Sequence, residues 1–99
     1  MGRKLHTSHF LVFIESQTAQ PTRLGVTVSR KVGNAVVRNR VKRRVREFFR
    51  LNYPKLIPGQ AFSIIAKKSA AQLEFIEICA DLQILLQLEK RPKKSLYAR

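Results

Sequence analysis

The chain has 99 residues, enough for one small domain and too few for two. A formal net charge of +14 points to a polyanionic partner, while 44% hydrophobic residues exclude a wholly disordered basic protein. The single cysteine, Cys79, excludes an internal disulfide and a multi-cysteine metal site, and no apolar run approaches the roughly 18 residues of a membrane span. The first ten residues, MGRKLHTSHF, lack signal-peptide architecture, so a reducing cytoplasmic setting is expected.

Residues 1–8 are short, polar and basic, and are expected to be mobile. From His9 the text HFLVFIES predicts a strand, with Phe10, Val12 and Ile14 on one face and Leu11 and Phe13 on the other. Both faces are apolar, so the strand is either covered twice or shows an aromatic surface to a ligand. Residues 17–22, with Pro21, read as a loop. A second strand spans 23–30, with Leu24, Val26 and Val28 on one side and the small Gly25, Thr27 and Ser29 on the other. Small side chains there let a nucleic-acid backbone or base come close; a bare solvent-facing edge is the competing reading.

The turn 31–34 leads to Asn34, whose side chain suits a helix N-cap. The stretch 30–50, RKVGNAVVRNRVKRRVREFFR, holds nine of the twenty Lys and Arg residues and one acid, Glu47, hence eight of the fourteen net charges. At about 100° per residue, Val37, Phe48, Val41 and Val45 share an arc about 80° wide. Arg38, Lys42, Arg46, Asn39, Arg50 and Arg43 follow around the opposite side. Arg40 and Glu47 complete the polar side, and Arg44 borders the core stripe, where its stem can cover apolar surface. Phe48 falls in the core stripe; Phe49 falls among the basic residues, where it can pack on a loop or stack on a base. Pro54 ends the helix near 52–54.

A loop over 56–59 carries a Pro-Gly turn, and QAFSIIA at 60–66 predicts a third strand. From Ala70 to Lys90 a single helix is expected, with Leu73, Ile76, Ala80, Ile84 and Leu88 at helical spacing and Phe75, Ile78, Leu82 and Leu85 widening the stripe. The tail 91–99 is basic, and 90–99 are expected to be mobile. These elements predict a two-layer α-β sandwich in which strand 23–30, helix 34–52 and strand 60–66 form a β-α-β unit with parallel strands.

No group of residues resembles a protein active site. Glu74, Glu77 and Asp81 recur at helical spacing and read as a solvated face in preference to a cation site. His6 and His9 have no neighbouring carboxylate or thiol in sequence, which favours backbone or base contacts over a metal. No histidine beyond residue 9 is available to activate a nucleophile. Cys79 lies in an apolar pattern and is expected to be a buried, unreactive thiol. The basic helix stands apart, because like charges at helical spacing repel unless phosphates lie nearby. Asn39, between Arg38 and Arg40, can contact a base edge or a 2′-hydroxyl.

GVTVSRKVGNAVVRNRVKRRVREFFR resembles the signature of the bacterial ribonuclease P protein family, including the Arg38-Asn39-Arg40 core. Leu5-His6-Thr7, Phe10-Leu11-Val12-Phe13 and the strand and helix around 60–88 also match, so the resemblance covers nearly the whole chain. It implies an α+β fold, a single domain over 1–99 with a small mixed sheet and a left-handed β-α-β crossover. That topology is like the second domain of ribosomal small-subunit protein five, and it departs from the usual right-handed rule. It also implies an accessory role in removing the 5′ leader from precursor tRNA, with the catalytic Mg²⁺ site in the RNA subunit. The implied partners are the catalytic ribonuclease P RNA and the precursor tRNA 5′ leader, with no membrane partner and a monomeric protein.

By position, Arg38, Asn39, Arg40, Lys42, Arg43 and Arg46 match the helix that faces the catalytic RNA. Arg30 and Lys31 match basic residues beside a leader cleft, Phe13 matches an aromatic of the cleft strand, and Thr27 and Ser29 would belong to the cleft floor. No catalytic residue and no protein-held metal are implied. Family members usually begin with a short helix before the Leu-His-Thr strand. This chain starts almost at that strand, so the N-terminal helix is expected to be missing and the cleft to lack one wall. The competing readings are a ribosomal or ribosome-associated RNA-binding protein of related fold and, more distantly, a DNA-binding architectural protein.

Overall fold

Apolar alternation in three short segments and one long amphipathic stretch set the architecture. The computed structural model describes residues 2–16, 21–56 and 59–86. Four strands, β1 (Gly2–His6), β2 (Phe10–Ser16), β3 (Arg23–Thr27) and β4 (Gln60–Ala66), form one sheet in the order β1-β2-β4-β3. β1 pairs antiparallel with β2 and β2 antiparallel with β4, whereas β3 pairs parallel with β4. The sheet is therefore mixed, and the parallel pair is joined through α1 (Ala35–Asn52), as the β-α-β reading requires. A second helix, α2 (Phe75–Leu82), completes the α+β fold.

Register separates the two faces of the sheet. On one, Phe10, Val12, Ile14, Phe62, Ile64 and Val28 join Val41, Val45 and Phe48 of α1 and Ile78 and Leu82 of α2 in the buried core. The other face carries the rows Lys4–Phe13–Ser63–Gly25 and His6–Leu11–Ile65–Thr27, read from β1 across to β3. Phe13 on this face is 40% exposed. Among the described residues, no second layer buries Phe13 on this face of β2.

Four local expectations are corrected. Residues 2–6, assigned no element from sequence, form β1: their strand propensity is low, and pairing along β2 supplies the backbone partners. Phe49 is only 4% exposed, packing edge-on to Phe62 with ring centroids 5.1 Å apart, because the sheet covers that flank of α1 as well. The predicted single helix from Ala70 is interrupted, with a 3-10 segment at Lys68–Gln72 preceding α2. At the break Glu74 and Glu77 form a reciprocal capping box: the Glu74 N–H donates to Glu77 Oε1 at 2.7 Å, and the Glu74 side chain accepts from the Glu77 backbone. The break re-phases the stripe, so Ile78, Leu82 and Leu85 are buried while Ile76 is 76% exposed and Ala80 and Ile84 also face outward. Leu88, most of the loop at 17–20, residues 57–58 and the tail lie outside the described residues.

The fourth correction concerns the acids of α2. Asp81 is half-buried rather than solvated. It accepts from the Thr7 hydroxyl at 2.6 Å, the Ser8 N–H at 3.2 Å and the His9 N–H at 3.1 Å. Lys67 Nζ donates to Thr7 O at 2.7 Å from the end of β4, and the His9 ring meets the Ser69 hydroxyl at 2.7 Å. This cluster fixes the β1–β2 turn against β4 and α2, and with it one end of the open sheet face.

Candidate nucleic-acid interface

α1 begins where the sequence places it. The Asn34 side chain accepts from the Val37 N–H at 3.0 Å and fills one of the unpaired donors of the first turn. Gly33 is required by space: a Cβ there would lie 2.8 Å from Val37 Cγ1, and valine's stiff side chain gives little room. Arg38 folds back over this turn, donating from Nη1 to Gly33 O at 2.9 Å.

The cations of α1 divide by flank. On the flank facing α2, Arg40 Nη2 donates to Ala71 O at 3.1 Å and Arg44 Nη1 to Leu73 O at 2.6 Å. Arg44 also lies 4.0 Å from the Glu74 carboxylate, and Arg40 Nε is buried without a partner among the described residues. Both arginines thus hold the segment that enters α2. On the outward side, Asn39, Arg43 and Arg46 are exposed and Lys42 is half-buried. Arg50 is exposed too, but it grips Glu47 through two bonds of 3.0 and 2.5 Å. The Arg50 hydrogen bond holds the Glu47 carboxyl below its usual range and raises Arg50 in turn.

The leader-cleft candidates spread over the open sheet face and one end of it. Phe13 sits on β2, and Thr27, exposed, ends β3 two strands away. Ser29, Arg30 and Lys31 are exposed in the turn that follows, closed by Val32 N–H to Ser29 O at 3.0 Å. Gly25 has nothing within 4 Å of where a Cβ would stand, and it shares a cavity of about 400 Å³ with Arg23, Leu24, Ala61, Phe62 and Ser63. The face sets Leu11, Phe13 and Ile65 among small and polar residues, with cations at its margins and Glu15 in the row that ends on Arg23.

The family model for Ribonuclease P matches residues 1–89, taking in every strand, α1 and α2. The chain belongs to the ribonuclease P protein family. It is similar to the ribonuclease P protein component of Syntrophus aciditrophicus, 41% identical over 88 residues that cover 89% of this chain and 74% of the relative. The corresponding component of Geobacter sp. strain M21 is 52% identical over 79 residues, covering 80% of this chain and 67% of the relative. Among solved structures, the Staphylococcus aureus RNase P protein superposes with a TM-score of 0.79 at 30% identity, covering 90% of this chain and 82% of that one. The Thermotoga maritima RNase P protein gives 0.79 at 32% identity, covering 86% and 83%.

Within this ribonuclease P fold four of the five described acids are committed to structure: Glu74 and Glu77 cap α2, Asp81 fastens the first hairpin and Glu47 pairs with Arg50, while Glu15 is exposed on β2. No group of three or more His, Cys, Asp or Glu that could hold a metal ion occurs among the described residues. Cys79 is half-buried, and burial pushes its thiol up, away from thiolate reactivity. Sequence reasoning missed two features of this surface: Arg40 and Arg44 depend on carbonyls of a segment far along the chain, and Arg23 joins the cavity beside Gly25 through the strand order. Neither left a local signal.

Proposed function

We propose that this chain serves as the protein subunit of ribonuclease P, docking on the catalytic RNA through the outward side of α1 and on the precursor tRNA 5′ leader through the open sheet face. The observation that carries the reading is the outward array of Asn39, Lys42, Arg43 and Arg46, mounted on a helix whose opposite side is buried in the core. Arginine suits phosphate because its planar fork donates two parallel bonds, and a helix anchored by Val41, Val45 and Phe48 fixes the positions from which those side chains project. Arg38 is half-buried and keeps further N–H donors beyond its bond to Gly33. Arg40, in this reading, positions the helix against α2 and supports the array.

For the leader, Phe13 offers a ring on which an unpaired base can stack, Gly25 and Ser63 leave room beside it, and Thr27, Ser29, Arg30 and Lys31 supply polar and cationic contacts at one end. The Mg²⁺ of the reaction is proposed to belong to the RNA subunit, together with the chemistry. Work inside the cytoplasm is part of the same proposal; among the described residues no helix is long and apolar enough to cross a membrane.

The test is reconstitution. Adding this chain to ribonuclease P RNA at low Mg²⁺ should raise leader cleavage and lower the Mg²⁺ needed. An unchanged rate and an unchanged Mg²⁺ requirement would remove the assignment.

A further inference from the structure

A notch between the start of β3 and the last turn of α1 borders the outward array at Arg46 and the open sheet face at Arg23. It is lined by Thr22, Arg23 and Leu24 from the strand side and by Arg46, Phe49, Arg50 and Tyr53 from the helix side, and holds about 320 Å³. That is the lower end of the range for small-ligand pockets. Leu24 and the buried Phe49 give it an apolar floor, and the Tyr53 ring, 49% exposed, stands open at its side. Tyr53 opens a 3-10 turn with Pro54, which stiffens the backbone that presents the ring. Arg23 and Arg46 are exposed and make no hydrogen bond or ion pair among the described residues, and no carboxylate lines the notch.

Position relates the notch to α1. At about 100° per residue, Asn39, Lys42, Arg43, Arg46, Arg50 and Tyr53 share one arc about 100° wide, running about 20 Å along the helix. The outward array therefore leads directly into the notch. A second hollow, of about 250 Å³, lies on the other flank between Arg43, Arg44, Glu47 and Phe75. It is the poorer anion site, because Glu47 lines it and Arg44 is already bonded to Leu73 O.

Resting on the ribonuclease P reading above, we propose that the notch receives one unpaired nucleotide of the catalytic RNA docked on α1. Its base lies against Tyr53 over the Leu24–Phe49 floor, and its phosphate stays at the rim on Arg46 and Arg23. The carboxyl end of a helix carries partial negative charge, so the phosphate belongs at the arginine rim rather than inside. A base inside and a phosphate outside demand an unstacked nucleotide; a duplex presents its bases edge-on and leaves the floor uncovered. The catalytic RNA is the source because the array along α1 is continuous with the notch, whereas the proposed leader surface centres on Phe13, two strands away across the sheet, and meets the notch only at Arg23 and Leu24.

The chain contains no tryptophan, so Tyr53→Trp installs a single indole in the notch. Titrating that variant with ribonuclease P RNA should quench its emission, saturating at one RNA per chain, while an oligoribonucleotide of leader sequence should leave emission unchanged. In filter binding, Tyr53→Ala should weaken the RNA complex about tenfold with an unchanged salt slope, Tyr53→Phe should bind like the parent, and Arg23→Ala should flatten the salt slope by about one. Full binding without quenching, or Tyr53→Ala binding like the parent, would overturn the nucleotide notch and leave the functional reading standing. Quenching by the leader oligonucleotide would overturn the assignment to the catalytic RNA. Failure of the parent chain to bind ribonuclease P RNA would bring down the functional reading, and this inference with it.

Discussion

Arg40 and Arg44 on one flank of α1, and Arg43 and Arg46 on its outward side, are four arginines of one helix with opposite employment. The first pair reaches across to backbone carbonyls of Ala71 and Leu73 and holds the entry to α2. The second pair points outward and bonds nothing among the described residues. All four contribute equally to net charge, yet only the outward pair is free to exchange solvent and counterions for phosphate. Charge density alone overstates the capacity of this helix for RNA; what each guanidinium already touches decides its role.

The largest expected effect tests the mounting rather than the charges. Phe49→Ala removes a buried ring wedged against Phe48 and Phe62, and should lower stability by about 3–5 kcal/mol, seen in thermal or urea unfolding. Stability close to the parent's would mean that Phe49 is a surface aromatic after all. Arg40→Ala comes next: it strips Ala71 O of a charged donor and should cost about 1.5–3 kcal/mol of stability. If unfolding is unaffected while RNA binding collapses, Arg40 belongs with the outward set.

How much of this was legible in the chain depends on how local each signal was. Asn34 caps α1 through its own Val37 neighbour, and β4 runs over the predicted Gln60–Ala66, because both are written in consecutive residues. Alternation also assigned the faces of β2 and β3 correctly, leaving Phe13 and Thr27 on the open side. Most of the misreadings involve partners distant in sequence. A helical projection cannot know that the sheet extends under Phe49, nor that carbonyls about thirty residues on will capture Arg40 and Arg44. The break before α2 carries no Gly or Pro, and an unbroken apolar rhythm hid it. Two glutamates made the cap, a use of carboxylates that resembles a solvated face when read along the sequence.

Two smaller effects sharpen the contrast between structural and binding residues. Gly25→Val adds a side chain into open space on a strand, so stability should hold or rise while leader binding falls several-fold in a titration against leader-bearing precursor tRNA. Unchanged leader affinity would move the leader off this face. Glu47→Gln should be the mildest. The Glu47 carboxyl is lowered from its ordinary 4.5 by Arg50, so its contribution to stability is present above that value and fades as pH falls through the depressed one. The pair is solvent-exposed, so the parent's extra acid sensitivity should be slight and absent from the variant in pH-dependent thermal melts. A large destabilisation at neutral pH would contradict an exposed pair.

The central claim, that the two arginine pairs divide structure from RNA binding, is tested most directly by the salt dependence of binding to ribonuclease P RNA. Arg43→Ala with Arg46→Ala should flatten the slope of log affinity against log salt by about two and leave thermal unfolding in place. Arg40→Ala with Arg44→Ala, measured under conditions where it remains folded, should keep the parent slope. Equal losses of slope in both double variants would show that the fold does not sort its arginines in the way described.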